Sequence, residues 1–134
     1  MRREFSLPLR VYIEDTDVGG IVYYVNYLKY FERARTEYMR RLGYDKPAFP
    51  LEGLMFVVSE ATVRYRDSAK LDDQLLATAR VIRVGAASLT FEQKIVRDAS
   101  CLVEGEVVIA LVSREGSRPR RLPAELRDQL TELD

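Results

Sequence analysis

The 134-residue chain contains no histidine and a single cysteine, Cys101. It therefore cannot assemble a Ser-His-Asp triad, a Cys-His pair or a zinc site with imidazole ligands, and no disulfide can close within it. A lone cysteine also gives no sign of an oxidising compartment. Long hydrophobic runs are missing as well. The longest wholly apolar stretch is Val107 to Val112, and no long apolar segment follows Arg2 and Arg3 at the amino terminus. The sequence thus predicts neither a signal peptide nor a membrane span, and a cytoplasmic location. Lys plus Arg and Asp plus Glu number 21 each, so no broad positive field draws the chain to nucleic acid or anionic lipid.

What remains is ordinary globular composition, 47 % hydrophobic and 31 % charged, in a length that suits one domain spanning residues 1–134. With histidine gone, acid-base or nucleophilic chemistry near neutral pH must come from Asp, Glu, Tyr, Lys, Ser, Thr or the backbone. The search narrows to carboxylates, and no metal or cofactor is implied.

The spacing predicts a strand over Phe5 to Glu14, where Val11 and Ile13 alternate with Tyr12, then an acidic, glycine-bearing loop, Glu14-Asp15-Thr16-Asp17-Val18-Gly19-Gly20. Helical periodicity follows: Tyr27, Phe31, Ala34, Tyr38 and Leu42 recur every three or four residues until Gly43, with Asn26 as N-cap and Glu37 to Arg41 as a supporting pair. Tyr30, Phe31 and Tyr38 read as core. Beyond a loop holding Pro47, Pro50 and Gly53, Val57, Ser59, Ala61, Val63 and Tyr65 occupy one face of a strand with strict period two. Gln74 to Arg83, Ala87 to Arg97 and Cys101 to Ser113 read as successive hairpin strands, and Pro123 to Leu133 as a short terminal helix. The order β-α-β-β-β-β implies an antiparallel sheet that covers one face with its single long helix and leaves edges to be paired by association.

The acidic loop supports two readings. Asp15, Thr16 and Asp17 can be plain turn formers ahead of Gly19-Gly20. Alternatively, a carboxylate beside the approach to a helix N-terminus offers what thioester hydrolysis needs. It supplies a group to attack the carbonyl or activate water, and unpaired N–H donors where the carbonyl oxygen becomes negative. Arg64 and Arg66 read as a solvated strand face, and Arg114, Arg118, Arg120 and Arg121 as an exposed basic tail.

The run Arg10-Val11-Tyr12-Ile13-Glu14-Asp15-Thr16-Asp17-Val18-Gly19-Gly20-Ile21-Val22-Tyr23-Tyr24-Val25-Asn26-Tyr27, continued by Phe31-Glu32-Arg33-Ala34-Arg35-Thr36-Glu37, strongly resembles the 4-hydroxybenzoyl-CoA thioesterase family. Within that family it is most similar to the YbgC-type, Tol-Pal-associated branch. Weaker matches at Val63-Arg64-Tyr65, Leu71-Asp72-Asp73, Ala87-Ser88-Leu89 and Arg118-Pro119-Arg120-Arg121 extend the resemblance over nearly the whole chain. The resemblance implies an α+β hotdog fold, a five-stranded antiparallel sheet wrapped around one long central helix. It further implies hydrolysis of short-chain or aromatic acyl-CoA, with acyl carrier protein as an alternative thiol carrier. Asp17 would be nucleophile or general base and the backbone N–H of Tyr24 would polarise the carbonyl. Gly20 would admit the acyl group close to the backbone, and Arg83 and Arg64 would meet coenzyme A phosphates. Tyr24 stands where that branch often has histidine, and Ala86 where an arginine is common, so acyl preference and the phosphate contacts are the features left open. A homodimer or homotetramer is expected, with the Phe56 to Ala61 strand of one protomer lining its partner's pocket. The competing reading is a non-catalytic acyl-binding or envelope-associated adaptor of the same fold.

Overall fold

A computed structural model describes residues 4–132. β1 (Phe5–Arg10) turns Phe5, Leu7 and Leu9 inward and Ser6, Pro8 and Arg10 outward. It is an edge strand, which accommodates Pro8 without an N–H. The strand ends earlier than its alternation predicts. Val11 is buried and donates its N–H to the Asp73 carbonyl at 2.9 Å, after which Ile13–Asp15 wind into one 3₁₀ turn. The reason is local: the Asp15 carboxylate accepts the Tyr12 N–H at 2.8 Å, giving the backbone an alternative to the ladder.

α1 (Asn26–Arg41) buries Tyr27, Tyr30, Phe31, Ala34 and Tyr38 as expected, and Met39 besides, whereas Leu42 is the C-cap and only partly buried. Gly43 then takes a φ of +104°, the left-handed turn that ends many helices. Two expectations change. Val25, not Asn26, holds the N-cap position, and Asn26 is the first helical residue with its amide turned to Asp15. Glu37 pairs with Arg40 rather than Arg41, whose guanidinium lies 4.8 Å over the Phe5 ring.

The remaining strands are β2 (Leu54–Tyr65), β3 (Gln74–Val84), β4 (Ser88–Arg97) and β5 (Ser100–Ser113). They form one antiparallel sheet in the order β1-β3-β4-β5-β2, in which β3–β4 and β4–β5 are the expected hairpins and β2 is the far edge. The strict alternation expected of β2 is broken by a bulge. Val58 pairs with Ile109 and Glu60 with Val108, so Ser59 is the extra residue. Leu54, Phe56 and Val58 therefore face inward before the bulge and Ala61, Val63 and Tyr65 after it, while Val57 and Ser59 leave the face assigned to them.

α1 packs mainly against β1, β3 and β4. α2 (Ala124–Glu132) closes that side: Leu122, Leu126 and Leu130 are buried, and Gln129 donates to the Leu42 carbonyl at 2.7 Å. Pro123 precedes this helix and accepts the Arg127 N–H, whereas Leu133 lies outside the described residues. On the β2 side α1 stands off, leaving a cleft of about 170 Å³ between Thr36 and Met39 on the helix and Phe56, Val58 and Ile109 on the sheet. The result is a five-stranded antiparallel sheet with a helix against one face, the hotdog arrangement.

Candidate active site

The acidic loop folds back on itself as a tight ribbon. Thr16 bridges Val22, the Asp17 N–H donates to Ile21, and the Gly20 N–H closes the turn on the Asp17 carbonyl at 3.0 Å. Gly20 has a φ of +79°, which a turn of this shape demands and which favours glycine; a side chain there would meet no atom within 4 Å. The ribbon docks on the segment before β3, through the Val22 N–H to Ala69 and the Leu71 N–H to Gly20.

Two carboxylates two residues apart meet opposite environments. Asp15 is only 6 % exposed; its Oδ1 accepts from Asn26 Nδ2 at 2.7 Å and its Oδ2 from the Tyr12 N–H. Asp17 is exposed: its Oδ1 accepts the Gly19 N–H at 2.8 Å, and among the described residues Oδ2 has no protein donor. One oxygen orients the group and the other faces outward.

Tyr24 lies in the turn immediately before α1. The N–H groups of Tyr23 and Asn26 are bonded, to the Asp15 and Tyr23 carbonyls respectively, but those of Tyr24 and Val25 between them meet no acceptor among the described residues. Tyr24 thus offers an unengaged donor at the positive end of a helix. The Tyr24 ring, 58 % exposed, stands edge-on to Tyr65 at 6.0 Å and beside Tyr23 at 5.1 Å. Tyr65 in turn contacts Tyr27, whose hydroxyl accepts the Ala69 N–H at 2.9 Å. Burial raises the phenol pKa of Tyr27 and Tyr65, so both stay protonated hydroxyls near neutral pH. Tyr65 was not singled out by sequence reasoning. The available signal was its place at the end of β2's inward face, opposite Val103.

The structure brings Asp17, Gly20 and Tyr24 into one loop and leaves the arginines elsewhere. Arg64 pairs with Glu104 on the outer face of the sheet, the face opposite Tyr65, amid Thr62, Glu92, Lys94 and Glu106. Arg83 pairs with Thr90 at the far end of β3, nine residues from Gln74, a separation of roughly 30 Å along the strand. Among the described residues no cluster of three or more acidic or cysteine side chains is arranged for a metal ion, and no helix is long and apolar enough to cross a membrane.

Comparison with known proteins identifies the family. The model of the thioesterase-like superfamily matches residues 11–130. The acyl-CoA thioesterase YbgC of Haemophilus influenzae is 42 % identical over 92 % of this chain and 91 % of its own length. The acyl-CoA thioester hydrolase YbgC of Escherichia coli O6:H1 is 40 % identical over 91 % of this chain and 92 % of its own. The crystal structure of a probable thioesterase from Bartonella henselae superposes with a TM-score of 0.84 at 36 % identity, covering 90 % of this chain and all of the other. A family match across nearly the full length, joined to acyl-CoA thioesterase relatives at 40 % and 42 % identity, makes this chain a member of the thioesterase-like superfamily and a thioester hydrolase.

Proposed function

We propose that the protein hydrolyses acyl-CoA thioesters to free acid and thiol at Asp17, with the Tyr24 N–H receiving the carbonyl oxygen. The observation that carries this reading is the pairing of an exposed, half-anchored Asp17 carboxylate with an unengaged N–H at the approach to α1. Asp17 Oδ2 takes a proton from water as the water oxygen adds to the thioester carbon. Negative charge then develops on the carbonyl oxygen, where a fixed N–H and the helix terminus stabilise it. Collapse breaks the C–S bond, and the proton held on Asp17 goes to the departing sulfur. The alternative in which Oδ2 itself attacks and water then cleaves the mixed anhydride uses the same atoms.

The surroundings support an apolar acyl group. Tyr23, Tyr24 and Tyr65 are partly exposed aromatic residues around the loop, and Val18 and Ile21 are exposed apolar residues within it. Such a patch, beside an unpaired β2 edge, also supports a site completed by a second protomer. In that arrangement Arg83 and Arg64 reach coenzyme A phosphates only at a neighbouring protomer's site, because neither shares the loop's surface in its own chain.

The test is thiol release from a panel of acyl-CoA esters. Asp17→Asn keeps the size and the Gly19 contact but removes the base, so turnover should fall by at least about 10² to 10⁴ at unchanged melting temperature. Glu14→Gln, an exposed neighbouring carboxylate, serves as control. Near-normal turnover in Asp17→Asn removes this assignment, and a wild-type protein that releases no thiol from any ester returns the adaptor reading.

A further inference from the structure

The bonds made by Asp15 converge on the residues that flank Tyr24. Its backbone carbonyl accepts the Tyr23 N–H at 2.9 Å, its Oδ1 accepts Asn26 Nδ2 at 2.7 Å, and its Oδ2 accepts the Tyr12 N–H at 2.8 Å. Asn26 is itself buried and opens α1. Between these two anchored residues lie the N–H groups of Tyr24 and Val25, both without an acceptor among the described residues. A carboxylate this deeply buried is tolerated only when its lone pairs are satisfied, and here neutral donors and the positive end of α1 supply that.

We propose that Asp15 is a positioning residue, whose carboxylate and carbonyl grip Tyr23 and Asn26 and so aim the Tyr24 N–H at the oxygen of the thioester carbonyl. The inference rests on the reading of Tyr24 as the oxyanion donor. The physical need is specific: such a donor acts by being fixed before charge develops, and a misplacement of about 1 Å costs about a hundredfold in rate. A helix start is the part of a helix most prone to fray, since its first N–H groups lack intrahelical partners. Asp15 removes that freedom without engaging Tyr24 itself. The Tyr30 hydroxyl fits the same picture from below. Burial first, and then the Asp15 charge, push its phenol well above the usual range, so it remains neutral beneath the carboxylate, although no hydrogen bond of normal geometry reaches it.

This role separates from simple fold anchoring by its kinetic signature and by rescue. Asp15→Asn can still accept the Tyr12 N–H, but its NH₂ then confronts the Asn26 amide donor. The expected result with butyryl-CoA and benzoyl-CoA is a kcat lower by about tenfold to a hundredfold with KM held within about twofold. In the double variant Asp15→Asn/Asn26→Asp the new amide at position 15 donates to the new carboxylate at position 26 and keeps the Tyr12 bond. It should recover kcat to within about threefold of the parent. Asn26→Ala, which removes one bond only, provides the milder variant should Asp15→Asn unfold, and should lower kcat by about tenfold. Amide hydrogen exchange at Tyr23, read by NMR, should quicken in Asp15→Asn and slow again in the double variant. Unchanged kcat in both Asp15→Asn and Asn26→Ala, a rise in KM alone, or a kcat loss that the swap leaves unrestored at wild-type melting temperature overturns the proposal. Asp17→Asn assayed alongside keeps the two ideas apart: full turnover there sinks the catalytic reading, while the exchange at Tyr23 still reports whether Asp15 holds the segment.

Discussion

The two halves of the sheet's inward face are finished differently. Over β3 and β4, α1 and α2 seal the surface: Phe91, Leu89, Ile95 and Ala77 are fully buried, and Tyr38 stands edge-on to Phe91 at 5.4 Å. Over β2 the same face is open, with Val58 53 % and Tyr65 46 % exposed and a cleft in place of helix contact. A chain that buries one half of a face completely is capable of burying the other. The apolar residues left open on β2 therefore fit the proposed completion of the site by substrate and a second protomer, and the loop meets that border through the Tyr24 to Tyr65 contact.

Three substitutions sharpen this comparison, and the sealed half gives the largest effect. Phe91→Ala removes a ring wedged between Tyr38 and the sheet, and urea denaturation should show a loss of about 3–5 kcal/mol. Gly105→Ala probes the junction: an added Cβ would lie 2.6 Å from the Thr62 carbonyl of β2 and 3.4 Å from the Phe31 ring, and since backbone cannot yield cheaply, a loss of about 1–3 kcal/mol is expected in the same measurement. Val58→Asp should leave the fold of the separated chain within about 0.5 kcal/mol. In light scattering, however, it should shift the protein from a multiple of 15.5 kDa toward the single-chain mass. A parent protein that is already a 15.5 kDa monomer and hydrolyses thioesters would break the comparison, since the open half would then be ordinary surface.

Much of the fold was legible because its signals are periodic. The 3.6-residue spacing of Tyr27, Phe31, Ala34 and Tyr38 marked the buried side of α1, and the hairpins of β3, β4 and β5 fell within a residue or two of their expected bounds. The misjudged points are those where one side chain overrides a pattern. Asp15 bends the end of the first predicted strand into a 3₁₀ turn, Ser59 slips the register of β2, and Asn26 spends its amide on Asp15 instead of capping α1. In the site, the loop residues could be nominated in advance, whereas the strand alternation places Tyr65 on a face but not against Tyr24, 41 positions away, which it reaches only by sheet pairing.

The absence of histidine and the acidic glycine-bearing loop narrowed the candidates to a carboxylate beside a turn and a helix start, and the resemblance of that loop to a thioesterase family turned this into an expectation of thioester hydrolysis. Local sequence could not distinguish Asp15 from Asp17, since both lie in the same four-residue stretch and both suit a turn. The difference is made by what arrives from far along the chain. Ala69 and Leu71 dock the ribbon, Asn26 meets Asp15, and burial engages one carboxylate in hydrogen bonds while the other stays exposed to solvent. Which way a carboxylate faces depends on the packing of distant segments, so only the tertiary structure could decide it.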